Sequence, residues 1–95
     1  MEISTLANKI PEHVSNTADM LTNNGFKAYL VGGAVKDILL GSEPKDYDIA
    51  TDALPEDITA IFPRSVSINA KFGTILVIMS GRDGERHDIE VTTFR

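Results

Sequence analysis

A chain of 95 residues, 42% apolar and 24% charged, has the makeup of one small globular domain near the lower limit for a self-sufficient core, which excludes a disordered or fibrous class. It holds no cysteine, so disulfides, thiolate metal sites and a cysteine nucleophile are ruled out. With 9 Lys and Arg against 14 Asp and Glu, the net charge is −5, which argues against a nucleic-acid grip of its own and suits cation binding. The longest apolar run, Ile75 to Met79, is far too short to span a bilayer. The N-terminus lacks the basic-then-apolar layout of a signal peptide, and a cytoplasmic location is expected.

Residues 1 to 9 carry no decisive pattern. A helix is predicted from Pro11 to Asn24: Pro11 suits the first helical turn, Val14, Ala18 and Leu21 form an apolar stripe at helical spacing, and Asn24-Gly25 is a plausible stop. Phe26 to Val31 reads as a strand, followed by the Gly32-Gly33 turn and a short helix from Ala34 to Leu40 that ends at Gly41. Glu43-Pro44 breaks the chain, and Asp46 to Ala50 reads as a second strand with Tyr47 and Ile49 pointing away from the aspartates.

Pro55 opens a third helix, with Glu56 and Asp57 in its first turn and Ile58, Ile61 and Phe62 on its buried side; Pro63 closes it. A strand near Ser65 to Ile68 comes next. Phe72 to Ser80 and Arg86 to Phe94 then form a hairpin around Asp83-Gly84, a favoured two-residue turn pair. That turn would set Val77 opposite Glu90 and Met79 opposite Asp88. It would bury Leu76, Ile78, Ile89 and Val91 on one face and leave Asp88, Glu90 and Thr92 on the other.

The candidate chemistry lies in residues 32 to 51, GGAVKDILLGSEPKDYDIAT. On a strand, side chains at i and i+2 share a face about 7 Å apart, so Asp46 and Asp48 can converge on one point. Hard divalent cations such as Mg²⁺ use one or two carboxylates together with substrate phosphates. A functional pair without a cation needs a nearby lysine, for which Lys45 and Lys71 are the candidates. Taken alone, the triplet Asp46-Tyr47-Asp48 is also what a solvated turn contains.

Gly32 and Gly33, between a strand and a helix, would let backbone N–H groups approach phosphate oxygens, and their plain alternative is a tight turn. Neither a GxxxxGK[ST] nor a GxGxxG fingerprint is present. Lys36, three residues past Gly33, could reach a phosphate or stay solvated. Glu90, with Asp88 as its rival, could complete a metal cluster from a neighbouring strand or merely line the polar face of a hairpin. No spacing links His13 and His87 to each other or to the aspartates, so both are expected to be structural or surface residues.

The run GGAVKDILLGSEPKDYDIAT resembles the signature of the class II tRNA nucleotidyltransferase and bacterial poly(A) polymerase family, GGxVRDxLLG followed by DxD and commonly IAT. FPRSVSINAKFGTILV and EVTTFR continue the resemblance, in order and with suitable spacing, across most of residues 26 to 95. The fold it implies is α/β (α+β): a polymerase-β-like nucleotidyltransferase head, with a mixed sheet and helices packed on one side.

By the resemblance, Asp46 and Asp48 correspond to catalytic metal-binding aspartates and Glu90 to the third carboxylate, together holding Mg²⁺. Gly33 and Lys36 correspond to the Gly and Arg that contact the nucleotide triphosphate, beside Gly32, and Asp37 to a helix-positioning residue. Lys36 in place of arginine keeps the charge and loses the bidentate fork.

The implied activity is Mg²⁺-dependent transfer of CMP and AMP from CTP and ATP to the 3′ end of tRNA, with release of pyrophosphate. Poly(A) addition and a non-catalytic nucleotide- or metal-binding module are the alternatives. Family members continue through an RRDFTxNA-like segment, a neck with an EDxxR-like motif, and body and tail domains that hold tRNA. Residues 1–95 are therefore expected to be an incomplete head that binds Mg²⁺ and nucleotide weakly and does not add CCA alone, with tRNA held through regions absent from this chain. No membrane partner is expected.

Overall fold

The computed structural model describes residues 10–42, 46–81 and 84–94. The expected break at Glu43-Pro44, together with Lys45 and Asp83, lies outside them. The elements run α1 (Glu12–Asn23), β1 (Ala28–Val31), α2 (Gly33–Leu39), β2 (Asp48–Thr51), α3 (Pro55–Ile61), β3 (Ser65–Asn69), a 3₁₀ turn (Ala70–Phe72), β4 (Thr74–Ser80) and β5 (Arg86–Thr93). Every predicted element has a counterpart within a few residues. The added 3₁₀ turn leads into Gly73, whose φ of +66° favours glycine.

The strands form one mixed sheet in the order β1-β2-β5-β4-β3. β2 and β5 are parallel, and the other neighbouring pairs are antiparallel. Because strand side chains alternate, each strand contributes to both faces. One face is covered: Leu30, Ile49, Val77, Ile89 and Val91 are fully buried there, beneath Val14 and Leu21 of α1 and Ile58 of α3. Pro55 starts α3 as its type predicts, and the Leu54 N–H donates to Asp57 Oδ2 at 3.0 Å to secure the first turn. The other face carries Asp48, Ala50, Thr74, Glu90 and Thr92, all partly or fully exposed. It has no helix packed on it among the described residues. The α/β (α+β) expectation of a mixed sheet with helices on one side holds.

Two expectations are corrected. The hairpin pairs Val77 with Ile89, Leu76 with Glu90 and Ile78 with Asp88, one residue away from the predicted register. The Gly81 N–H donates to the Glu85 carbonyl, so positions 82 to 84 lie between the paired residues where a two-residue turn was predicted. A one-residue slip exchanges faces. Ile75 and Val77 therefore enter the core, while Leu76 and Ile78 join Glu90 and Asp88 on the open face. The second correction concerns β2, which begins at Asp48 and not at Asp46. β1 pairing ends at Val31 opposite Asp48, and β5 pairing begins at Glu90 opposite Asp48. Asp46 and Tyr47, the described residues just ahead of it, have no strand partner among the described residues.

Candidate active site

Asp48 lies where three segments meet. It pairs with Val31, the last residue before the Gly-Gly turn, and with Glu90 on the parallel neighbour. Both acids occupy the open face because their neighbours Ile49, Ile89 and Val91 are drawn into the core. The register thus sets Glu90 beside Asp48, and Asp88 two residues along the same face. Asp88 is engaged elsewhere: Arg86 Nε donates to its Oδ1 at 2.7 Å and Nη2 to its Oδ2 at 3.2 Å. That guanidinium holds Asp88 below its ordinary range. Between the rival carboxylates, Glu90 is the one left to join Asp48.

The hydrogen bond with Asp48 raises Glu90 above its ordinary carboxyl value, reinforced by burial and by the negative charges of Asp48 and Asp46. Two ionised carboxylates offer only acceptors, so such a bond requires a proton between them. A divalent cation can take that proton's place, which is how the donor set fits Mg²⁺. Among the described residues no three acidic or imidazole side chains close into a ready-made cage. Asp46, exposed and ahead of the strand, acts on Glu90 by charge alone.

The two glycines separate into different roles. Gly32 has φ +78°, and a Cβ there would sit 3.0 Å from Asp48 Oδ2. Its lack of a side chain is required both by the backbone and by the carboxylate behind it. At Gly33 a Cβ would meet nothing within 4 Å, so the chain itself imposes no need for glycine. Lys36 lies exposed on α2 and makes no ion pair among the described residues. The Lys71 ammonium lies 5.8 Å from the Phe72 ring centroid. Lys45 lies outside the described residues.

A cleft of about 530 Å³ opens on the same face, and Asp48 and Glu90 line it. From there it continues over Ala50 and Thr92 to Thr74 and Asn69, with Ile68 and Phe94 along its far side. Sequence reasoning assigned none of these further residues to the site, although it placed Thr92 on the same face as Glu90. For Thr92 the signal was available, since it is two positions from Glu90 on the same strand face.

His13 and His87 are not independent. Their rings stack with centroids 4.0 Å apart and planes 6° apart, and Tyr47 meets His13 edge-on at 6.3 Å. Burial, and then the proximity of His87, depress the His13 pKa below 6.5. The pair clamps α1 to β5 on the covered face, away from the carboxylates.

Residues 28–95 match the family described as the poly A polymerase head domain. A CCA-adding enzyme from Geobacillus stearothermophilus is 49% identical over 75 residues, which is 79% of this chain and 17% of the relative. The crystal structure of the Bacillus stearothermophilus CCA-adding enzyme in complex with CTP superposes with a TM-score of 0.78 at 44% identity, covering 87% of this chain and 20% of that one. A CCA-adding enzyme in complex with ATP superposes with a TM-score of 0.70 at 25% identity, covering 100% of this chain and 24% of that one. This chain thus spans no more than about a quarter of the length of these relatives. With this match over residues 28–95 and these identities, the chain belongs to the family described as the poly A polymerase head domain.

Proposed function

We propose that residues 1–95 are the catalytic part, itself incomplete, of a tRNA nucleotidyltransferase head, and that the protein containing them transfers CMP and AMP from CTP and ATP to the 3′ end of tRNA. The observation that carries this reading is the direct pairing of Asp48 with Glu90 on the open face, with Gly32 backed against the Asp48 carboxylate. Asp46, Asp48 and Glu90 would hold Mg²⁺. When bound, the metal supplies charge neutralisation at the reacting phosphate and activation of the attacking hydroxyl.

The residues do the rest. The Gly32-Gly33 turn and Lys36 bind the triphosphate and aim its pyrophosphate away from the cleft. Asp48 and Glu90 orient the α-phosphorus. The acceptor 3′-oxygen forms a bond to that phosphorus as the bond to the pyrophosphate oxygen breaks, and the hydroxyl proton passes to a carboxylate oxygen of the cluster. The bonding electrons leave with pyrophosphate, so the step balances. A cytoplasmic setting accords with this reaction, and no described helix is long and apolar enough to cross a membrane.

The test uses the natural polypeptide in full, with tRNA lacking its 3′ CCA, Mg²⁺, and labelled CTP or ATP. Transfer of C and then A is expected. In Asp48→Asn or Glu90→Gln it should fall by more than about 100-fold, beyond the loss usual for a residue that only supports a metal ligand. Near-normal transfer in both variants would refute the assignment. Addition of A alone would support the second reading, poly(A) synthesis, which the family description favours.

A further inference from the structure

We propose that His13 is a positioning residue for the carboxylate pair, acting from the covered face of the sheet. Stacked on His87 and set against Tyr47, it ties the start of β2 to β5 and holds the Asp48–Glu90 rung closed. The proposal rests on the reading of Asp46, Asp48 and Glu90 as metal ligands and assigns what keeps them together.

The need for such a tie follows from the ladders. Asp48 is an end rung on both of its sides, opposite Val31 in the antiparallel ladder with β1 and opposite Glu90 in the parallel ladder with β5. Glu90 is held more firmly, because β5 continues past it along β4 as far as Arg86 opposite Ser80. Strand ends open at little cost, and ionised carboxylates facing each other push apart. The segment free to lift away is therefore Asp46 to Asp48, and Glu90 is the fixed partner.

Tyr47 is the handle on that segment. It stands between the two aspartates in sequence, yet its side chain is buried. There the His13 ring meets it with planes 85° apart, the edge-to-face arrangement that aromatic rings prefer. The same His13 ring lies parallel to His87, 4.0 Å away, on the strand that carries Glu90 three residues later. One side chain of α1 thus spans the fork where β2 and β5 separate. No ladder joins the two strands ahead of Asp48 and Glu90 among the described residues, and the three rings take its place. Val14 and Leu21, both fully buried, seat α1 independently, so His13 works from a fixed support.

The experiment uses the natural polypeptide in full, as wild type, His13→Ala, His87→Ala, His13→Phe and Val14→Ala. Amide hydrogen exchange without metal reads the rung itself, and Mn²⁺ binding followed by electron paramagnetic resonance reads the ligand set without turnover. Each alanine variant of a histidine should speed exchange across residues 48–51 and weaken Mn²⁺ binding by about 3- to 10-fold, the scale of one aromatic pair. Exchange in β4 should not change. His87→Ala cuts the link from the β5 side, so the test stands should His13→Ala fail to fold. Combining the two should be no worse than either alone, because both break one chain of contacts. His13→Phe keeps a ring and should restore both readings. Val14→Ala removes core packing from the same helix, so it should lower the melting temperature and leave Mn²⁺ affinity at the wild-type level. Wild-type exchange and Mn²⁺ affinity in the folded alanine variants, an equal affinity loss in Val14→Ala, no restoration by His13→Phe, or additive losses would each overturn the proposal and leave the transfer reading intact. A wild type that binds no Mn²⁺ would overturn the metal reading and the proposal together.

Discussion

The two faces of the sheet are built from the same strands and obey opposite rules. On the covered face, Leu30, Ile49, Ile89 and Val91 are sealed from water, and each contributes through area removed from solvent and close packing. On the open face the intervening residues Asp48, Glu90 and Thr92 line a cleft, and the hydrogen bond and negative charge of Asp48 raise the Glu90 pKa, so that ionising Glu90 there costs electrostatic energy. One face holds the structure together, and the other keeps an arrangement the fold alone would not favour. Substitutions at adjacent positions should therefore fail in different ways.

The largest contrast is expected between Glu90 and its neighbour Ile89. Glu90→Gln should abolish transfer and, without metal, raise thermal stability at neutral pH, because it removes a carboxylate whose ionised form the fold disfavours. Added Mg²⁺ should stabilise the wild type and not this variant, as read by melting temperature. Ile89→Ala, at a fully buried position, should cost about 2–5 kcal/mol in urea unfolding through lost burial and the cavity left behind. In a domain this small that is a large share of total stability. A Glu90→Gln protein less stable than wild type in metal-free buffer would break the contrast.

The glycines sharpen it at smaller amplitude. Gly32→Ala should both destabilise the fold and impair transfer, because the backbone is left-handed and the new Cβ crowds Asp48. Gly33→Ala should leave stability unchanged or raise it by about 0.5–1 kcal/mol, since alanine is the better helix residue, and should raise the KM for nucleotide. Equal stability losses at both positions would contradict the division of roles.

The smallest effect concerns pH. Glu90 has a raised folded-state value, so its contribution to metal-free stability is lost as pH rises from about 4.5 through that raised value. His13 has a lowered one, so its contribution is complete above about 6.5 and is lost as pH falls through the depressed value. Melting curves across this range should show both slopes, with Glu90→Gln removing the first and His13→Phe the second.

What could be read from the sequence follows the range of each interaction. The stripe of Val14, Ala18 and Leu21 is local, and all three are buried as expected. Ile49 turns inward as alternation requires, and Tyr47, just ahead of β2, is buried as expected. The hairpin register was misread because it depends on how many residues its turn contains, and a favoured Asp-Gly pair pointed to one fewer than the structure has. That single residue decided whether Leu76 or Val77 belonged to the core.

The candidate residues could be listed from the sequence as acids and glycines, helped by family resemblance. Their division of labour could not be read there, because Arg86 capturing Asp88 and Gly32 making room for Asp48 are contacts between side chains and turns that no spacing encodes. The His13–His87 stack was invisible for the same reason: the two rings meet only after the sheet has closed beneath α1.

β5 is the last strand in chain order but the third in the sheet, between β2 and β4. During synthesis the earlier strands can form only two separate pairs, β1 with β2 and β3 with β4, each presenting an unpaired edge where β5 belongs. Such edges invite pairing with other nascent chains. The strand that closes both edges also delivers Glu90 to Asp48, so completion of the sheet and assembly of the carboxylate pair are the same event. A ribosome-bound chain ending before β5 has the glycine turn and both aspartates and still lacks the Asp48–Glu90 pairing, which ties assembly of that pair to the disappearance of the aggregation-prone edges.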